Sequence, residues 1–315
     1  MGNRLSARIA TDGRFLSKEP NMPNIYKKKT WLPLFLIPAF AFMAVFLYYP
    51  FFMNILNSFQ SIRTLGVPSG AWNDPWYTNY VNILHDPEIW TSLKNTGLMI
   101  IVTLIFQVGI ALVLALIVDN VKHGTGFFRT VYFFPIVISA TALGLLFNLI
   151  VLYDKGMLNQ MLEALGKTTL TDWKDESHAL ATMMIPVAWQ YVGFYFVIIE
   201  TGLNSISSEL YESAMIDGAS RWQRVRYISL PLIHNVLVTC SILGVTGALK
   251  VFDLPWTMFP KGMPVKTTFL TGTYMYYQTM EVKNVDYGSA IAVMIVILGI
   301  VLSQVAGVIF REKDY

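Results

Sequence analysis

The sequence predicts an all-α membrane protein that crosses a bilayer six times, and three observations carry this prediction. The first is composition. Of 315 residues, 54% are hydrophobic and only 14% are charged, where soluble domains carry about 25% charged residues. With a mean hydropathy of +0.49, too few charges remain to clothe a water-soluble surface. The second is the segregation of those charges. No Asp, Glu, Lys or Arg occurs between Lys29 and Arg63, or from Asn95 to Val118, Thr130 to Tyr153, Ser177 to Ile199, Tyr227 to Leu249 and Tyr287 to Phe310. Each gap matches the roughly 20 apolar residues that a helix needs to cross a hydrocarbon core of about 30 Å, and lipid offers no partner to backbone groups outside a helix or a closed barrel. The third is a bias of Lys and Arg toward alternate loops.

In chain order, residues 1–30 form a polar leader with Arg4, Arg8, Arg14, Lys18, Lys27, Lys28 and Lys29 against Asp12 and Glu19. It has no apolar core and so does not read as a signal peptide. Met1-Gly2-Asn3-Arg4-Leu5-Ser6 matches a myristoylation pattern that is short enough to arise by chance. The core, residues 31–311, opens with the first span, flanked by Trp31, Tyr48 and Tyr49, and the loop after it carries Asp74, Asp86 and Glu88. The second span ends before Lys122 and Arg129, with Gly124-Thr125-Gly126 as a turn into the third. Tyr153 closes the third span, and Asp154, Glu163, Asp172, Asp175 and Glu176 follow it. After the fourth come Arg221, Arg224 and Arg226; the fifth holds Cys240, a lone cysteine read as a small packing residue, and ends near Trp256. The sixth leads to Arg311 and a tail, residues 312–315, with Lys313. Interfacial aromatics and basic inner loops together put both termini in the cytoplasm. Lys155, Lys167, Lys174, Lys261, Lys266 and Lys283 fall on the opposite side and moderate the bias.

No catalytic constellation is visible. A Gly-x-x-x-x-Gly-Lys-[Ser/Thr] phosphate loop is missing from the sequence, so nucleotide hydrolysis would belong to another chain. His85, His123, His178 and His234 lack metal-ligand spacing, and Asp175-Glu176 reads as a solvated pair. No metal, no cofactor on this chain and no nucleic-acid partner is expected. A secondary transporter would place ionisable residues deep in its spans, and the charge-free gaps hold none. Lys250 and Asp253, three residues apart, are expected to pair across one helical turn or to snorkel to the interface, and Glu200 to make a structural pair.

The informative stretch is residues 209–231, between spans four and five. It resembles the signature loop of binding-protein-dependent ABC importer permeases: Glu-Ala-Ala, three residues, Gly, nine residues, Ile-x-Leu-Pro. Glu212, Ala214, Gly218, Ile228, Leu230 and Pro231 stand at the matching offsets, and Ser213 replaces the first alanine. Asp217-Gly218-Ala219-Ser220 is similar to the sugar-permease version, the group related to the larger maltose-type permease. Ser207 stands where a proline is common, and Phe259-Pro260-Lys261-Gly262-Met263-Pro264 departs from the usual Thr-x-Gly-Gly-Pro. Local chemistry makes the loop a helix–turn–helix. A first helix runs from Glu209 to Asp217, a bend follows at Gly218, a second helix runs from Trp222 to Ile228, and Pro231 opens the next segment.

The resemblance implies that this element is a cytoplasmic coupling helix that docks on an ATPase. Its partners would be a second homologous permease subunit, two ATPase subunits carrying ATP and Mg, and an extracytoplasmic solute-binding protein. The cargo would be a carbohydrate, with glycerol phosphate or a peptide as alternatives. Aligned outward from the loop, the family's cavity-lining positions fall on Val187, Gln190, Tyr191 and Phe194 in span four and on Gly244, Gly247, Ala248 and Val251 in span five. Each set has the spacing of one helical face. Gln190 and Tyr191 would bond hydroxyls while Phe194 stacks on a sugar ring; small residues on span five equally suit close helix packing.

Overall fold

A computed structural model describes residues 31–62, 71–119, 124–264 and 266–309. The basic leader, Arg63, Lys122, His123 and the tail with Arg311 and Lys313 lie outside the described residues. The described residues are helical apart from turns, loops and one isolated bridge between Gln60 and Trp72.

The chain divides into two compact units, residues 1–53 and 54–315. Helix α1 (Leu36–Asn57) begins in the first; it is free of charged residues, and a π-helical turn, Ala44–Tyr48, interrupts it. The second unit continues with α2 (Thr78–His85), α3 (Pro87–Val118), α4 (Thr125–Val137), α5 (Ala140–Ile150), α6 (Met157–Ala164) and α7 (Ala179–Asn204). After the signature loop, with α8 (Ser208–Ile216) and α9 (Arg221–Arg224), come α10 (His234–Lys250), α11 (Asp253–Met258), α12 (Thr271–Tyr276) and α13 (Val285–Ile309).

Five segments are long and apolar enough to cross a membrane: Leu36–Asn57, Pro87–Val118, Ala179–Asn204, His234–Met258 and Val285–Val308. The third charge-free gap corrects the expectation of six similar spans, because α4 and α5 meet at an 89° bend. Its cause is local. Pro135 brings no N–H to the helix, the β-branched run Ile136-Val137-Ile138 after it has weak helix propensity, and Ile138 and Ser139 are extended (ψ 134° and 132°). The segment His234–Met258 is also broken, at Val251 (ψ 122°) and Phe252 (φ −141°). That break corrects the reading of Lys250 and Asp253 as partners on one turn. They end and begin different helices, and no ion pair joins them. α3 starts two turns before its charge-free stretch, since Asp86 caps it by accepting from the Glu88 N–H at 2.9 Å and Pro87 sits at its first position.

α7 is the central helix of the second unit and packs against α3, α4, α10 and α11. Its Val187, Tyr195, Phe196, Ile199 and Leu203 are all buried. Glu200 is buried too, and its carboxylate takes Arg129 of α4 at 2.5 Å and Asn204 at 3.0 Å, the structural pair that its position suggested. Cys240 is fully buried among apolar side chains of α3 and α7, as a packing residue should be.

Polar clamps hold the end of the unit opposite the signature loop. Asp86 Oδ2 accepts from both Tyr274 and Tyr287 hydroxyls at 2.6 Å, tying α3 to α12 and α13. Burial alone would raise the Asp86 pKa; the tyrosine hydroxyls and the capped Glu88 N–H outweigh it and hold the carboxyl below its usual value. Asn95 donates to the carbonyls of Thr267 and Phe269 at 2.7 and 2.9 Å. In the divergent segment at 259–264, Phe259 and Gly262 are buried, with Gly262 at φ +70° under the Phe269 ring, while Pro260, Lys261 and Met263 are exposed.

Gly193 sets the contact between α7 and α4, since a Cβ there would fall onto the backbone carbonyl of Tyr132. Gly97 has open space at the corresponding point. Gly193→Ala is therefore expected to cost about 1–3 kcal/mol or more, read as a lower thermal midpoint and a lower monodisperse yield of the purified chain, with Gly97→Ala near wild type.

Candidate functional site

Two places on the second unit gather the residues that the sequence singles out. The first is a cavity of about 270 Å³ between α3, α7, α10 and the start of α11. Val187, Gln190, Tyr191 and Phe194 border it from α7, and Gly244, Gly247, Ala248 and Val251 from α10 and its broken end. All eight residues expected at the cavity thus share one wall system. Their environments differ, however. Gly244 is a packing glycine, because a Cβ there would approach the Thr103 methyl to 3.0 Å, whereas at Gly247 the nearest atom would be the Tyr195 hydroxyl at 3.9 Å. Gln190 is buried, and its amide nitrogen reaches the carbonyl of Ile138 at 3.4 Å, at the α4–α5 bend. Tyr191 and Phe194 are half-buried, and Phe194 packs edge-on against Tyr195 at 5.2 Å.

The cavity also includes residues that sequence reasoning missed. Thr103 and Gln107 enter from a π-helical stretch of α3, Thr103–Val108. Gln107 is buried and donates to the Val187 carbonyl at 3.0 Å. An amide in the middle of the charge-free run from Asn95 to Val118 was the signal available for it. Ala140, at the start of α5, lines the wall because of the bend, and Lys250, Phe252 and Asp253 line it because of the second break. Neither break is visible as a pattern of hydrophobicity. The lining is mostly apolar with a few amides, hydroxyls and two charged groups at one rim, the balance typical of small-molecule sites.

The second place is the loop. Ser207 caps α8, its hydroxyl accepting from the Glu209 N–H at 3.3 Å, which explains how serine serves where proline is common. Ser213 and Ala214 lie within α8, and Asp217 is its C-terminal cap. Gly218 has φ +78°. Its N–H donates to Met215 O at 3.1 Å and that of Ala219 to Ala214 O at 2.9 Å, the paired bonds of a Schellman stop. The second helix starts one residue before Trp222: Ser220 and Gln223 form a capping box ahead of Arg221. It then loosens into a π turn, Val225–Ser229, holding Ile228, before Leu230 and Pro231 begin the next short helix. The Tyr211 hydroxyl, 2.9 Å from Ser229 Oγ, ties the two arms together. Ile216 is 86% exposed, and Trp222 and Tyr227 are each 71% exposed. Glu212 is exposed and makes no hydrogen bond or ion pair with a described residue. No cluster of His, Cys, Asp and Glu able to hold a metal occurs among the described residues.

Comparison with known proteins follows the same lines. Residues 107–313 match the family described as binding-protein-dependent transport system inner membrane component. A probable ABC transporter permease of Bacillus subtilis (strain 168), YurN, is 33% identical over 86% of this chain and 92% of its own length. The lactose transport system permease LacF of Rhizobium radiobacter is 28% identical over 93% and 97%. A chain of a bacterial ABC transporter involved in the import of the acidic polysaccharide alginate has the same fold, with a TM-score of 0.80 at 21% identity over 92% of this chain and 98% of that one. The chain thus belongs to the inner-membrane components of binding-protein-dependent transport systems, a multi-pass family whose motif spacing it carries in full apart from Ser213.

Proposed function

We propose that this chain is one of two permease subunits of an ATP-driven importer, that the bent α4–α5 pair is its third of six crossings, and that its cargo is a carbohydrate, foremost an oligosaccharide. The observation that carries the reading is the exposed loop. Ile216, Trp222 and Tyr227 present large apolar side chains on a short helix–turn–helix that shows Glu212 and Gly218 on the same segment. An apolar patch with a polar rim is a surface for a protein partner. The partner is an ATPase subunit, the bearer of ATP and Mg, and the loop faces the cytoplasm as the arginines around it suggest. Glu212, unpaired among the described residues, is free to meet a cation of that partner.

The connection to transport is mechanical. The loop is covalently continuous with α7 through Ser205 and Ile206 and with α10 through the π turn and Leu230–Leu232. These two helices carry the eight cavity residues. When two ATPase subunits close on nucleotide they draw the loop inward, and α7 and α10 move with it, switching the cavity between two packed arrangements. A second homologous permease supplies the facing wall, and a solute-binding protein delivers cargo to the opposite end. The half-buried Tyr191 and Phe194 beside the amides Gln107 and Gln190 suit the alternating apolar faces and hydroxyl edges of a sugar. The lactose permease among the relatives supports the same class of cargo.

Gly218→Asp puts a side chain at φ +78° and Glu212→Lys reverses the exposed charge. Both are expected to leave membrane insertion intact, to release the ATPase from detergent-solubilised complexes and to abolish uptake. Retention of the ATPase with near wild-type uptake in both would remove the coupling role. For the cargo, Gln190→Ala and Tyr191→Ala are expected to change which sugars are taken up by about tenfold in relative rate, while the complex assembles and hydrolyses ATP. Unaltered selectivity in both would take the α7 face out of the site.

A further inference from the structure

Behind the signature loop lies a cavity of about 300 Å³ that neither the transport path nor the docking face uses. Asp119 at the end of α3, Asn204 at the end of α7, Tyr211 of α8, Ser229 and the two arginines of α9, Arg221 and Arg224, border it. Its lining is mainly polar, in contrast with the apolar wall of the other cavity. The arginines are its distinctive feature. Arg224 Nε is buried and has no acceptor among the described residues, and neither guanidinium makes a hydrogen bond or ion pair with a described residue. Each offers a fork of donors that matches the oxygens of a phosphate or carboxylate. A buried guanidinium N–H without an acceptor is costly, so an oxyanion entering this cavity would be bound by groups already in place.

The facing carboxylate does not cancel the two cations. Asp119 is pushed above its usual pKa, first by burial, then by the negative Glu200, and is pulled down only by Arg221. Glu200 is itself neutralised by Arg129. The cavity thus holds two positive charges against one carboxyl, with the Tyr211 and Ser229 hydroxyls and the Asn204 amide as further polar groups.

We propose that this cavity is an anion site that takes a phosphate group, bound between Arg221 and Arg224 beneath the signature loop. Arg224 stands where α9 runs into the π turn, Val225–Ser229, and Asn204 and Asp119 belong to the ends of α7 and α3. A bound phosphate therefore joins the loop to the helices of the transport cavity and stiffens the segment between them. Its source is a free phosphate compound or the headgroup of an anionic phospholipid, which share the recognising chemistry.

The test uses the full-length permease, purified without its ATPase. Its thermal midpoint is followed against inorganic phosphate at fixed ionic strength, with chloride as control. A saturable rise with phosphate is expected, since a ligand that binds only the folded state stabilises it. Arg224→Gln should weaken half-saturation by about tenfold, and Arg221→Gln in the same direction, with Arg226→Gln, outside the cavity, unchanged. If Arg224→Gln does not yield folded protein, Arg221→Gln and Arg224→Lys carry the test. Nanodiscs identify the source. Stabilisation by phosphatidylglycerol over phosphatidylcholine, lost in the same variants and not reproduced by free phosphate, supports the headgroup; a response to free phosphate in detergent supports the soluble compound. No response to either probe, or equal responses in wild type and the cavity variants, overturns the proposal. So does a midpoint that rises only on adding the ATPase, which would assign the guanidiniums to an acidic side chain of that partner.

Discussion

A backbone amide or carbonyl that leaves its helix inside hydrocarbon has no water to turn to, and each unsatisfied group costs several kcal/mol. This constraint organises the second unit. Two helices break, α4–α5 at Ile138–Ser139 and α10–α11 at Val251–Phe252, and both breaks border the cavity through Ala140, Val251 and Phe252. Non-helical backbone at such depth is tolerated where it lines a cavity or is covered by protein. Here one freed carbonyl, Ile138, receives the Gln190 amide. Breaks and cavity are thus one arrangement: the breaks re-aim the helices and open the space, and the Gln190 amide satisfies a carbonyl freed at the first of them.

The joints of this arrangement are tight at some points and looser at others. Gly193 fixes α4 on α7 with no room for a single carbon, and Gly244 makes a tight but less severe contact between α10 and the Thr103 methyl of α3. Gly247, one turn along, would meet only the Tyr195 hydroxyl, at 3.9 Å. At the far end, Asp86 gathers α3, α12 and α13 through two short tyrosine bonds. At the loop end, the Arg129–Glu200 pair joins α4 to α7. The Schellman stop at Gly218 and the capping box at Ser220 make the loop a shaped element with its own internal bonds. The loop joins α10 through the π turn Val225–Ser229 and α7 through the short link of Ser205 and Ile206.

Much of this was legible in the sequence. Charge-free gaps report where solvent is excluded, so α1, α3, α7, α10 and α13 appear where those gaps lie. The glycine bend follows from local chemistry, and the structure places it at Gly218 with positive φ, whereas the capping box of Ser220 and Gln223 came only with the structure. The eight residues that the family resemblance singles out border one cavity, and helical spacing only keeps each set of four on one face. What stayed hidden was tertiary. The bend at Ile138 needs Pro135 and its β-branched neighbours to act against an apolar run that reads as a straight span. The separation of Lys250 from Asp253 depends on a two-residue break with no glycine or proline at it. The Asp86 clamp joins residues about 190 to 200 positions apart, which no local pattern encodes.

The central claim is that the space between α7 and α10 is the transport path and is wetted alternately from each side. Cys240 is the only cysteine of the chain, so a chain with Cys240→Ala can carry one reporting thiol. Gly247→Cys places it at the open side of the cavity, and Ile297→Cys, on an exposed face of α13, is the lipid-facing control. The measurement is the rate of modification by a membrane-impermeant thiosulfonate in assembled complexes, in inverted and right-side-out vesicles. The account predicts reaction at position 247 from the loop side without nucleotide, and from the opposite side with binding protein and a trapped ATP analogue, while position 297 stays inert. A thiol at 247 as inert as that at 297 from both sides and in both states would contradict it.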